Sequence, residues 1–190
     1  MQPVSLARVA GAAFALVWAL VAPTASAGGD VVVEMHRRGE ALEVQARAVL
    51  AAPMPLAWKV LTDYERMPRF IPGIEKSVIR QRQGNHLLVE HTGAAHFLFF
   101  SFPIDVTLEV DESPMQWVTS RAVGGNFRRM LGRYDLSEQA GGRALLRYSG
   151  FIEPDFALPP LIGPAALRHS VREEFTAMVG EIERRAAEGR

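Results

Sequence analysis

Apolar and polar side chains alternate along most of this chain, and only its last segment switches to a helical period. Leu42, Val44, Ala46, Ala48 and Leu50 alternate with Glu43, Gln45 and Arg47, the pattern of a half-buried strand. The valine-rich run Asp30 to His36 reads as extended, and Arg38-Gly39-Glu40 turns it back, so the two segments form a hairpin. Pro53 and Pro55 then open a short helix carrying Leu56, Trp58, Val60 and Leu61, since a first turn tolerates proline. Asp63 and Tyr64 begin a second short turn that Pro68 and Pro72 stop. After Gly73 the period returns to two, predicting strands at Glu75–Gln81, His86–Gly93, Phe97–Val110, Met115–Val123, Asn126–Ser137 and Arg143–Ile152. Their connections are short and rich in turn residues (Gln83-Gly84-Asn85, Glu112-Ser113-Pro114, Gly124-Gly125, Ala140-Gly141-Gly142), which predicts an antiparallel meander.

In the last segment Leu167, Val171, Phe175, Met178 and Ile182 make one apolar stripe, with Pro164 suited to the first turn. A helix over 164–185 spans about 33 Å, enough to cross a whole sheet. The sheet has one apolar face, and this stripe is the large apolar surface available to cover it. The fold class expected is therefore α+β: a curved antiparallel sheet wrapped around a long C-terminal helix, with two short helices after the first long strand. A long sheet curved around one helix leaves a gap along its concave face, and a cavity is expected there.

Composition sharpens this picture at three points. The first segment has one charged residue, Arg8, then an apolar run from Val9 to Ala22, Pro23, and small residues at Ala25-Ser26-Ala27. This is the order of a secretory signal peptide over residues 1–27, and the apolar run is shorter than the ~20 residues a spanning helix needs. One domain over 28–190 remains, in the periplasm or secreted. Beyond the leader, 20 basic residues stand against 21 acidic ones, a balance that excludes the strongly basic face of a nucleic-acid binder. The chain of 190 residues has no cysteine, so thiol catalysis, thiolate metal sites and redox pairs are excluded. His36, His86, His91, His96 and His169 show no metal-ligand spacing, and no metal or cofactor is expected.

The segment Trp58 to Ile79, WKVLTDYERMPRFIPGIEKSVI, carries a tryptophan on the first helix, Asp63-Tyr64, then Pro68, Phe70, Pro72 and Gly73 leading into a strand. Gly125-Asn126-Phe127 follows, with Gly132, Tyr134 and Leu136 on one strand and Tyr148 on the next. In this order the chain resembles the helix-grip superfamily of START-like and polyketide cyclase/dehydrase proteins, over residues 41–186. Its nearest likeness within it is the branch that includes coenzyme Q-binding proteins. The resemblance implies a hydrophobic cavity and a small apolar ligand; it does not imply one activity, because one fold hosts many functions.

Parity selects candidate contacts for such a ligand. Leu98, Phe100 and Phe102 share a face with Ile104, Val106, Leu108 and Val110 that should meet the helix, although Phe97 and Phe99 break the rule, and a bulge at Pro103 would change the parity. Met130, Gly132 and Tyr134 share one face, and Tyr148 joins them from the next strand. An absent side chain at Gly132 leaves room beside the two tyrosines, whose inward hydroxyls need partners. His91 shares parity with Leu87 and Val89, and reads as a satisfied or exposed histidine before it reads as a contact. Trp117 and Arg121 share a face whose direction the pattern leaves open, and Met178 faces the sheet from the helix stripe. No acid–base pair stands out on inward parity. Phe156, Leu158, Leu161 and Ile162, set among Pro154, Pro159 and Pro160, read first as a staple for the last helix and second as a lip touching membrane while ligand loads.

The function expected is an exported carrier or binder of a lipid-, isoprenoid- or quinone-like molecule, with transient membrane contact. The alternatives are a cyclase or dehydratase acting on a polyketide or isoprenoid, with Tyr134, Tyr148 or His91 as acid or base, and an interaction domain whose cavity is filled.

Overall fold

Leu42, Val44, Ala46, Ala48 and Leu50 are all buried, so the first alternating segment is indeed a half-buried strand, β2 (Ala41–Leu50). It pairs antiparallel with β1 (Val32–Arg38) through a turn in which Gly39 takes a positive φ. The computed structural model describes residues 31–39, 41–156 and 163–189. The leader read over residues 1–27 lies outside them.

The helix α1 (Met54–Leu61) starts at Pro53 and buries Ala57, Val60 and Leu61; a 3-10 turn (Tyr64–Arg69) follows. The meander comprises β3 (Ile74–Gln83), β4 (His86–Phe97), β5 (Phe100–Ser113), β6 (Trp117–Gly125), β7 (Phe127–Gln139) and β8 (Arg143–Pro154). The strands form one eight-stranded, unclosed antiparallel sheet in the order β1-β2-β8-β7-β6-β5-β4-β3. The long helix α2 (Gly163–Glu188) crosses its concave face and buries Val171, Phe175, Met178, Val179 and Ile182 there.

Two boundaries differ from the pattern. The expected strand beginning at Phe97 is two strands: Phe97 ends β4, Phe100 begins β5, and Leu98 and Phe99 alone make the turn, so Leu98 is exposed and does not join the inward face. The register continues unbroken through Ala94 opposite Pro103, so the parity break comes from this hairpin and not from a bulge at the proline. Met115 has a positive φ of 64° and belongs to a turn, and β6 begins at Trp117.

The Gly125-Asn126-Phe127 motif is a structural staple. The Asn126 amide donates to the Pro103 carbonyl at 2.7 Å, and its carbonyl oxygen accepts from Asp105 N–H at 3.0 Å. Gly125, at φ 100°, lies so close to the Asp105 backbone that a Cβ there would collide with it. The staple therefore pins the β6–β7 turn onto β5 beside its shift in register at Thr107 and Leu108. On the other side β6 and β7 pair from Trp117–Asp135 to Arg121–Leu131, short of that turn.

The C-terminal half of α2 is tied down by charge. Arg185 reaches Asp63 at 2.9 Å and Glu181 at 2.7 Å, and stands over the Phe70 ring at 5.5 Å. Ala51 N–H donates to Glu183 at 3.1 Å. Hydrogen bonds from Arg184 and then Arg185 hold the Glu181 carboxyl down to about 2.

Candidate functional site

The long helix lies close to β4, β2 and β1 and packs on α1, while the middle strands β5 to β7 curve away from it. Near α1 the interior is closed: Leu50, Leu61, Leu87, Leu146 and Ile182 are fully or almost fully buried. Towards the start of α2 the pattern changes. Phe102, Ile104, Ala122, Met130, Tyr134 and Tyr148 share the inward parity of the buried core residues on their strands, yet stay only half-buried. An inward residue can remain accessible only where the covering layer stands off, so a space separates α2 from the middle strands.

Polar groups project into this apolar lining. Tyr134 and Tyr148 are register partners on β7 and β8, with ring centroids 4.6 Å apart. Neither hydroxyl finds a hydrogen-bond partner among the described residues. Burial raises both phenols well above their ordinary range, with the Glu174 carboxylate adding to it. Glu174 enters from α2, in the middle of the apolar stripe, and accepts a hydrogen bond from Ser170 at 2.8 Å. Burial is the main force on its carboxyl and pushes it up to about 7, against the smaller opposing effect of that hydrogen bond. Near neutral pH the group therefore exists in both protonation states, so it can donate or accept a hydrogen bond.

His91 faces inward from β4, and burial brings its imidazole down to about 4, so the ring is neutral at physiological pH. Its Nε2 is buried and unpartnered, and so is Oγ of Ser77, its register partner on β3. The sequence favoured a satisfied or an exposed histidine; this one is neither. Two polar atoms without partners on paired strands are uncommon, because each loses its hydration without replacement.

The structure distributes the other expected contacts unevenly. Phe100 and Phe102 keep inward parity near the open end, and Met130 lines the same region. Met178 is buried in the packed core. Gly132 has inward parity, but the space above it is filled: a Cβ there would meet Oγ of Ser120 at 2.8 Å and the Tyr148 ring at 3.3 Å. Gly150, its register partner, is also covered by the Tyr148 ring. The paired glycines thus seat a tyrosine.

Trp117 and Arg121 do not face the interior, because Val118, Ser120 and Ala122 hold the inward parity of β6. Arg121 pairs across strands with Glu109, and Arg133 stacks over Trp117 at 5.0 Å, both on the convex face. They drop out of the site. Glu174, Ser170 and Ser77 were absent from the sequence reading. The available signal was Ser170-Glu174-Met178 at four-residue spacing, which places a carboxyl on the buried helix face. Strand parity puts no clear acid–base pair on the inward face; the buried carboxyl comes from the helix instead. Among the described residues, no group of three or more His, Asp or Glu side chains is placed to hold a metal ion. Of the proline-rich segment, Phe156 is described and Leu158, Leu161 and Ile162 lie outside the described residues.

A curved, unclosed antiparallel sheet gripping one long helix, with a partly polar space between them, defines the START-like helix-grip class. The chain belongs to the polyketide cyclase/dehydrase and lipid transport family, whose pattern matches residues 50–183. Among solved structures, the Zhui aromatase/cyclase from Streptomyces sp. R1128 superposes with a TM-score of 0.66 at 20% identity, over 76% of this chain and 95% of that one. A STAR-related lipid transfer protein from Xanthomonas axonopodis gives 0.63 at 12% identity, over 82% and 98%. A START superfamily protein from Mycobacterium smegmatis gives 0.63 at 14%, over 75% and 97%. At these identities the likeness is one of fold. No curated protein matches the chain in sequence.

Proposed function

We propose that this protein is an exported carrier of an apolar small molecule bearing a neutral hydrogen-bonding group, such as a lipid, isoprenoid or quinone-like molecule. The observation that carries this reading is the contrast in the lining: half-buried apolar side chains surround two tyrosine hydroxyls without partners and a carboxyl near neutrality. An apolar body would satisfy the first, and a carbonyl or hydroxyl head group the second. A permanently anionic head group fits poorly, because it would face Glu174 with no cation among the lining residues named above.

The leader expected over residues 1–27 supports a site of action outside the cytoplasm. Native mass spectrometry of the protein gently purified from its own host tests both parts at once. The expected species begins at Gly28 and retains an apolar molecule. A protein beginning at Met1 overturns export. One that is empty and refuses apolar probes overturns carriage and favours a filled interaction domain.

One observation supports a second reading, a cyclase or dehydratase. A carboxyl brought to about 7 has the proton affinity of a general acid–base catalyst at neutral pH, and two tyrosines lie in its field. Turnover of a bound polyketide or isoprenoid, lost in Glu174→Gln with binding retained, would promote it over carriage.

A further inference from the structure

The β4–β5 hairpin has an unusual tip. Leu98 is 78% exposed and Phe99 85%, far more than any other large apolar side chain described. Leu98 also takes φ 56° at the first position of a two-residue turn, where glycine is preferred. The tip therefore carries two unfavourable features, exposed apolar surface and strained backbone, that a glycine and a polar residue would remove. The stretch from His91 to Ile104 contains no Asp, Glu, Lys or Arg.

Rings connect this tip to the site. Phe99 lies 4.4 Å from Phe100, Phe100 is 6.2 Å from Phe102, and Phe102 is 6.2 Å from Phe156, which meets Phe127 at 6.4 Å. Phe102 belongs to the half-buried lining. At the base of the hairpin, Phe97 packs on the exposed His169 ring at 5.5 Å, next to the exposed Arg168 at the start of α2.

We propose that the Leu98–Phe99 tip docks on a lipid bilayer surface, placing the aromatic track where an apolar ligand passes between bilayer and interior. The shape favours a bilayer over a protein partner. A Leu and a Phe offer roughly 300–400 Å² together, against roughly 800 Å² per partner in a standard protein interface. A convex two-residue tip needs no complementary surface when it enters fluid acyl chains, and Arg168 and His169 then lie near the headgroups. The inference rests on the reading of the interior as a ligand site, but the two can fail separately.

Flotation of the mature chain with phosphatidylcholine vesicles tests it. The expected result is binding that Leu98→Ser with Phe99→Ser weakens more than tenfold, since two exposed apolar anchors are lost. Addition of phosphatidylserine should strengthen binding less than the double variant weakens it. The variant should unfold at the same temperature or higher, and still take up a water-soluble apolar fluorescent probe in vesicle-free buffer. Failure of the wild type to float, or equal flotation of the variant, overturns the proposal. So does wild-type self-association in sedimentation that the variant abolishes while vesicle binding persists, which would make the tip a contact between copies. If the wild type refuses the probe, the carrier reading falls, while flotation alone still decides the tip.

Discussion

The two ends of the grip are built from the same strands and the same helix, yet they use them differently. Near α1 the helix, the sheet and the short helix meet with Phe175, Val179 and Ile182 fitted against Val60, Leu87 and Leu146, and almost no surface is left. Towards the start of α2 the same inward parity supplies Met130, Tyr134 and Tyr148, which stay half-buried beneath a helix face that carries Ser170 and Glu174. The first end supplies cohesion. The second gives up packing energy and buries groups whose polar atoms lack partners. Cohesion and the proposed ligand site are thus separated along one helix, and substitutions on either side of its middle should differ in kind.

The largest effect is expected at Phe175. Phe175→Ala removes a side chain that is 2% exposed and should lower the unfolding free energy by about 3–5 kcal/mol in chemical denaturation. A loss below about 1 kcal/mol would place this residue in the open region and dissolve the contrast.

Glu174→Gln should act in the opposite direction. The Glu174 carboxyl binds its proton more tightly folded, at about 7, than at its ordinary 4.5. Its contribution is therefore fully present below 4.5 and disappears as pH rises through 7. Above that range the ionised group should cost the wild type about 3 kcal/mol relative to the glutamine variant. Denaturation at pH 5 and pH 8 compares the two proteins, and parallel stability curves would show that Glu174 is solvated.

Met130→Ala gives the smallest effect. A half-buried methionine beside an open space leaves little new cavity, so the loss should be about 1 kcal/mol, with weaker uptake of an apolar probe. A loss as large as that of Phe175→Ala, without a binding change, would mean the second end is as packed as the first.

The sequence made the scaffold legible because alternation survives wherever one face of a strand is buried. β2, β5 and β7 kept the parity their residues announced, and the α2 stripe fell where its spacing put it. The hairpin at Leu98 was hidden because its turn has neither glycine, asparagine nor proline. Half of the site was hidden for another reason. Trp117 and Arg121 sit on a strand where Val118 and Ala122 alternate with side chains of mixed character, so the face was set only by pairing with β5 and β7. Glu174 looked like one more polar residue on a charged helix, and only the curvature of the sheet reveals what it faces.

Tyr148 has a consequence of its own. Its ring lies over the backbone at Gly150 and Gly132 with the Tyr134 ring against it. Main chain and a second ring thus both back this side chain. The ring is therefore the stiffer element of a wall in which Met130, unbranched, can reshape itself at little cost. A molecule entering this space meets one surface that yields and one that does not. On the proposed carrier reading, discrimination among bulky head groups would fall to the surface that does not yield.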